Sequence, residues 1–207
     1  MAAYYHNGRS DSGFICGVDA KKNYQKNIKQ TFFFQGSLIS SKIVVTAAHC
    51  VHEKAMTLKK KAEDALFYLG KYFIDTLANE QNFIVSAVNQ FEVHPQWKSY
   101  DEKYDADIAI AILTKTVQFN KFVQPICLWT ATTNYEDLIG RSGVIAGWGK
   151  TETSAITSPE LRWTEISVVS FQSCILSNTK FSLFVSGRTF CAGNRIDGNG
   201  PCNGDSG

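Results

Sequence analysis

No apolar run in this chain of 207 residues reaches the roughly 18–20 residues that a bilayer-spanning helix needs. Charge of one sign is scarce too: 21 Lys and Arg stand against 19 Asp and Glu, a net +2, too mild for nucleic acid or a membrane surface as a main partner. The densest basic run, Lys59-Lys60-Lys61, is followed by Glu63 and Asp64 and fits a solvated loop. The six cysteines, at 16, 50, 127, 174, 191 and 202, include no CxxC pair. Zinc sites use closely spaced ligands, so a metal is disfavoured and no cofactor is expected. There is no internal repeat, no long low-complexity linker and no Asn-x-Ser/Thr sequon. The start, Met1-Ala2-Ala3-Tyr4-Tyr5-His6, lacks the charged and apolar regions of a secretory leader.

What remains is an ordinary globular composition, 44% hydrophobic and 19% charged, which suits one unit or two small barrels sharing an interface. Scattered single cysteines fit disulfides, and disulfides imply an oxidising compartment. That outweighs the missing leader, so a secreted protein with an incomplete N-terminus is expected.

Short β-prone runs recur along the chain, separated by turn residues. Thr31-Phe32-Phe33-Phe34 and Lys42-Ile43-Val44-Val45-Thr46 are divided by Gly36-Ser37. The run 67–72 follows a lysine-rich segment capable of helix, and 83–88 leads to a stop at His94-Pro95. Further runs are 108–113, 143–146 before the Gly147-Trp148-Gly149 turn, and 161–169. This spacing predicts an all-β sandwich or barrel, with 118–129, containing Pro125, as a bridge between halves.

Three segments carry residues that suit nucleophilic catalysis. Thr46-Ala47-Ala48-His49-Cys50 ends a strand beside a histidine, and Tyr104-Asp105-Ala106-Asp107-Ile108-Ala109 heads an apolar strand with a carboxylate. Gly200-Pro201-Cys202-Asn203-Gly204-Asp205-Ser206-Gly207 closes the chain. A serine hydroxyl needs a base to take its proton, and histidine titrates in the right range. A carboxylate on the far nitrogen fixes the tautomer and stabilises the imidazolium. Glycines beside the serine let backbone N–H groups reach an oxyanion. Each segment alone has a plainer meaning: a structural histidine, a strand-capping aspartate, a polar turn. Together, in the order His, Asp, Ser, they point to a triad and away from the α/β-hydrolases, which run Ser, Asp, His.

With these landmarks the chain resembles the trypsin/chymotrypsin family of serine peptidases. The likeness includes Gly36-Ser37-Leu38-Ile39-Ser40, Tyr68-Leu69-Gly70, Val93-His94-Pro95, Val123-Gln124-Pro125-Ile126-Cys127-Leu128, Gly147-Trp148-Gly149 and Phe190-Cys191-Ala192-Gly193. In detail it is similar to modular proteases of insect immune cascades. The resemblance implies two antiparallel β-barrels of chymotrypsin type, 30–120 and 121–207, the second truncated, after a propeptide-like or disordered segment 1–29. It makes His49 the base, Asp107 its orienter, Ser206 the nucleophile, and the N–H groups of Gly204 and Ser206 the oxyanion hole. Asp105 is the rival to Asp107; His94, His52 and His6 have no catalytic part. A base at His49 implies loss of activity below about pH 6–7. The primary specificity position, six before the nucleophile, is Gly200, which carries no charge and favours cleavage after non-basic residues. Partners implied are protein or peptide substrates, upstream cascade domains and protease inhibitors, without nucleic acid or membrane.

Three departures from the family accompany the likeness. The chain ends one residue after Ser206, which implies a fragment with unpaired strand edges in the second barrel. No Ile-Val-Gly-Gly-like start follows Cys16, so the new amine that pairs with the Asp beside the nucleophile, here Asp205, is missing. The cysteine set is thinned. Cys174 and Cys191 match one family pair, and Cys16 and Cys127 match the pair tying propeptide to catalytic domain. Cys202 lacks its partner, and Cys50 normally pairs where this chain has Phe34. The alternative is therefore a non-catalytic homologue, or an inactive fragment acting as a binding or regulatory module.

Overall fold

The computed structural model describes residues 33–52, 61–74, 80, 82–98, 104–131, 134–150, 157–193, 200, 201, 205 and 206, together with the backbone of 15–20. Nine strands dominate the described residues: β1 (Ile15–Ala20), β2 (Phe33–Leu38), β3 (Ile43–Thr46), β4 (Ala65–Leu69), β5 (Ile84–Val93), β6 (Ala109–Leu113), β7 (Ser142–Gly147), β8 (Arg162–Val169) and β9 (Cys191–Ala192). The α-helices among them are short, α1 (Ala48–Val51) and α2 (Phe171–Ser177). The first six strands close into an antiparallel barrel in the order β1-β2-β3-β6-β5-β4, and the last three form a separate antiparallel sheet. The fold is all-β, as expected from the sequence.

Period-2 alternation builds the barrel core. Ala65, Phe67 and Leu69 of β4 point inward, as do Ala109, Ala111 and Leu113 of β6, while Ile110 lies exposed between the latter. They meet Phe34, Leu38, Val44 and Val88, with the Phe34 and Phe67 rings packed edge to face at 6.1 Å. Phe34 thus fills with an aromatic ring the place where the resemblance puts a cysteine, and Cys50 stays a buried free thiol.

Several boundaries differ from the sequence expectation. Gly36-Ser37 lies inside β2 rather than dividing two strands. A Cβ on Gly36 would come within 2.7 Å of Val44 Cγ1 and 2.9 Å of the Val45 carbonyl oxygen, so the glycine permits close strand approach instead of a turn. The turn falls at Ser40–Lys42, where the Ile39 N–H donates to the Ile43 carbonyl at 2.9 Å. Gly70, at φ 80°, ends β4 before Lys71 and Tyr72 can extend it. Of the lysine-rich segment, Ala62–Asp64 is a single 3₁₀ turn, and 53–60 lie outside the described residues.

A further difference is β1. The stretch expected to be propeptide-like supplies a strand paired to β2 on one side and β4 on the other. Both neighbours would otherwise present open edges, and closing the barrel removes them. The barrel therefore starts at Ile15, ahead of the expected boundary at 30. Cys16 stands in its wall opposite Gly36 and Leu69, and Cys127 carries an exposed free thiol. Cys127 is thus a free thiol rather than a bridge partner, and the Cys16 side chain lies outside the described residues.

In the second sheet β7 pairs with β8, and β8 with β9. Helix α2 starts at the Ser170 cap, whose hydroxyl accepts the Ser173 N–H at 3.1 Å. The Cys174–Cys191 disulfide ties α2 to β9, and Phe171 stacks on Tyr135 at 4.2 Å. The two halves meet where the Leu161 N–H and the Trp148 indole N–H both donate to the Tyr72 carbonyl at 2.8 Å.

Candidate active site

Thr46 ends β3, Ala109 begins β6, and the register sets them opposite each other. His49 lies three residues after Thr46 and Asp107 two before Ala109, so strand pairing alone brings them to one end of the barrel. The single turn of α1 holds His49, with the His52 N–H donating to the Ala48 carbonyl at 2.8 Å. On the other chain segment Tyr104 and Ala106 adopt φ of 52° and 57°. Left-handed backbone at non-glycine residues costs about 1–3 kcal/mol each and persists only where surroundings enforce it. Here the Ile108 N–H donates to the Ala106 carbonyl at 2.8 Å, closing a tight turn around Asp107.

Both Asp107 oxygens engage His49. Oδ1 accepts the His49 backbone N–H at 2.8 Å and Oδ2 meets ring Nδ1 at 2.6 Å. This places the Nδ1 proton on the carboxylate side and leaves Nε2 as the nitrogen that takes or gives a proton. Nε2 faces the Cys50 thiol, with Sγ at 3.5 Å. The Asp107 hydrogen bond first, and the Cys50 contact second, raise the His49 pKa to about 10 against the opposing effect of burial. Both contacts favour the protonated ring, which moves the acid limb expected near pH 6–7 upward.

Asp105, the rival carboxylate, turns elsewhere. Its Oδ1 accepts from Ser186 Oγ at 2.8 Å and Arg188 Nε at 3.1 Å, and Oδ2 pairs with Arg188 Nη2. The Arg188 guanidinium and the Ser186 hydroxyl hold its carboxyl below the ordinary range. Arg188 also reaches Gln96, so one side chain from the second half grips the loop that presents Asp107. Tyr104, at the head of that loop, packs its ring edge to face on His49 at 5.9 Å, flanked by Trp97 and Phe184. Arg188 and Ser186 gave no local signal in the sequence, because they lie 83 and 81 residues from Asp105.

Ser206 is exposed, and its carbonyl accepts the Gln35 backbone N–H from β2 at 2.8 Å. Among the described residues its hydroxyl makes no hydrogen bond to His49. Asp205 Oδ1 accepts the Gly149 N–H at 2.6 Å. A Cβ on Gly149 would overlap both carboxylate oxygens of Asp205, so the Gly147-Trp148-Gly149 turn uses its glycine to admit this side chain. Gly200 is exposed with open space around it, and Gly204 lies outside the described residues. Cys202 and His6 lie outside them too. His94 accepts the Gln96 N–H on Nδ1 at 3.2 Å, and His52 follows α1; neither touches the His49–Asp107 pair.

A β-barrel presenting an Asp-oriented histidine, joined to a second sheet that leads to a Gly-Asp-Ser-Gly end, defines a serine peptidase architecture. A family model described as Trypsin matches residues 14–207, and the chain belongs to that family. It is 30% identical over 208 residues to the serine protease gd of Drosophila melanogaster, covering 93% of this chain and 35% of that protein. The proclotting enzyme of Tachypleus tridentatus is 32% identical, covering 83% of this chain and 45% of its own length. The CLIP domain-containing serine protease HP8 of Bombyx mori is 30% identical, covering 89% and 51%. The chain spans about half or less of these relatives.

Proposed function

We propose that this chain carries the catalytic machinery of a secreted serine endopeptidase that hydrolyses peptide bonds through an acyl-enzyme. Asp107, holding His49 through both oxygens, carries the reading. In the reaction, Ser206 Oγ bonds to the scissile carbonyl carbon as its proton passes to His49 Nε2. The carbonyl π electrons move to oxygen, which the Gly204 and Ser206 N–H groups stabilise. Collapse breaks the C–N bond as Nε2 returns the proton to the leaving amine. Water, deprotonated by the same nitrogen, then releases the acid and regenerates Ser206.

For Nε2 to act, the Ser206 hydroxyl must replace the Cys50 thiol on it. The uncharged, open Gly200 favours a non-basic residue before the scissile bond. The Cys174–Cys191 disulfide supports an oxidising, extracellular setting, and no helix among the described residues is long and apolar enough to cross a membrane. Relatives named for clotting and as a CLIP-domain protease support a place in a cascade, with protein substrates, upstream domains and inhibitors as partners.

A second reading, a non-catalytic homologue or inactive fragment acting as a binding or regulatory module, is favoured by the thiol on Nε2. One experiment separates the two. A fluorophosphonate probe applied to the natural full-length protein is expected to label Ser206 and to leave Ser206→Ala unlabelled. Absence of label on the wild type after proteolytic activation hands the function to the second reading.

A further inference from the structure

Gln35 is a polar residue in an apolar strand. It sits on β2 between Phe34 and Gly36 and is only 5% exposed. Its backbone is engaged on both sides: the carbonyl accepts the Thr46 hydroxyl at 2.6 Å, and the N–H donates to the Ser206 carbonyl at 2.8 Å. Its side chain reaches the same neighbourhood as that second bond. A Cβ placed on Gly147 would overlap Asp205 Oδ1 and come within 2.7 Å of Gln35 Nε2, so the amide nitrogen and the carboxylate share the space the glycine leaves open.

The chemistry of the two groups is complementary. A primary amide carries two N–H donors, and a carboxylate is an acceptor with several lone pairs. Burial makes an unmatched amide costly, so the convergence of the two groups in one space favours donation from amide to carboxylate. The Gly149 N–H already holds Asp205 Oδ1 from the second half. Gln35 approaches the same carboxylate from the barrel, while its backbone holds the next residue, Ser206.

We propose that Gln35 is a positioning residue, docking the Asp205–Ser206 segment onto the first barrel through its backbone N–H and its side-chain amide together. This rests on Ser206 being the nucleophile of the reaction proposed above. It supplies Asp205 with a donor from within the chain, independent of any amino group freed by cleavage. One residue then sets both the carbonyl of Ser206 and the carboxylate before it, which limits the rotation of the nucleophile relative to His49.

The test uses two near-isosteric substitutions that keep the backbone N–H. Gln35→Glu sets a second carboxylate beside Asp205, and like charges at such range disfavour each other's ionisation. Its fluorophosphonate labelling rate is expected to fall about tenfold or more below wild type at alkaline pH and to approach wild type as the pH drops and the introduced carboxylate takes up a proton. Gln35→Met removes the donor without adding charge and is expected to label slowly at every pH. A Gln35→Glu deficit that does not vary with pH, or wild-type rates in both variants, overturns the proposal. Amide hydrogen exchange at Gly149, whose N–H is held by Asp205, gives a readout independent of catalysis. Gln35→Glu should lose protection there as pH rises, relative to wild type at the same pH, and unchanged protection overturns the docking role. Wild-type protein that fails to label, with Gly149 responding as described, sinks the peptidase reading and leaves the docking in place.

Discussion

Replacing Asp107 with asparagine removes the charge that holds His49 while keeping the shape of the side chain, and its consequences reach stability as well as turnover. The folded His49 pKa is raised from 6.5 to about 10, chiefly by Asp107. A raised folded pKa means that the native state binds the proton more tightly than the unfolded chain. The resulting stabilisation is fully present below pH 6.5, fades through the window from 6.5 to about 10, and is gone above it. At about 1.36 kcal/mol per unit the whole shift has a ceiling near 5 kcal/mol. The Asp107 and His49 side chains are 16% and 31% exposed, and Cys50 contributes part of the effect. Solvent screening and that shared cause bring the Asp107 share to about 2–3 kcal/mol. Urea unfolding at about pH 6 and pH 10 measures it. Wild type should lose about 2–3 kcal/mol more across that interval than Asp107→Asn, the subtraction removing other groups that titrate in the same range. Equal losses in the two proteins refute the account of His49. Turnover should fall by about 10⁴ in the same variant, the effect of a wrong tautomer; an unchanged rate would return the role to Asp105.

Cys50→Ala removes a contact that raises the His49 pKa and clears Nε2. The acid limb of the rate profile should move to lower pH, read from kcat/KM across the profile; a limb that stays put denies the thiol any part in tuning the base. Arg188→Ala should release Asp105 and relax the left-handed turn at Tyr104 and Ala106. Because the Asp105–Arg188 contact is half exposed, the expected effect is a drop in kcat of about tenfold with little change in melting temperature, and a loss confined to stability would make the bridge a plain surface ion pair.

The His49–Asp107 pairing is legible in the sequence because short segments carry it. A histidine after a β-branched strand and a carboxylate ahead of an apolar one become neighbours through a single register, Thr46 opposite Ala109. The choice between Asp105 and Asp107 is harder, since both lie in the same loop: Asp107 meets His49, while Arg188, 83 residues beyond Asp105, holds the other carboxylate. β1 is illegible for a related reason. Ile-Cys-Gly-Val-Asp-Ala has weak alternation of its own, and its strand character comes from the two edges waiting on β2 and β4. Glycines show the limit most directly. Gly36 reads as punctuation, yet it sits in mid-strand so that Val44 can come close. Gly149 does belong to a turn, but its lack of a side chain serves Asp205, 56 residues later. A pattern read along the chain locates a residue that must be small. What it must be small for is a neighbour in space, and at Gly147 and Gly149 that neighbour is the Asp205 carboxylate.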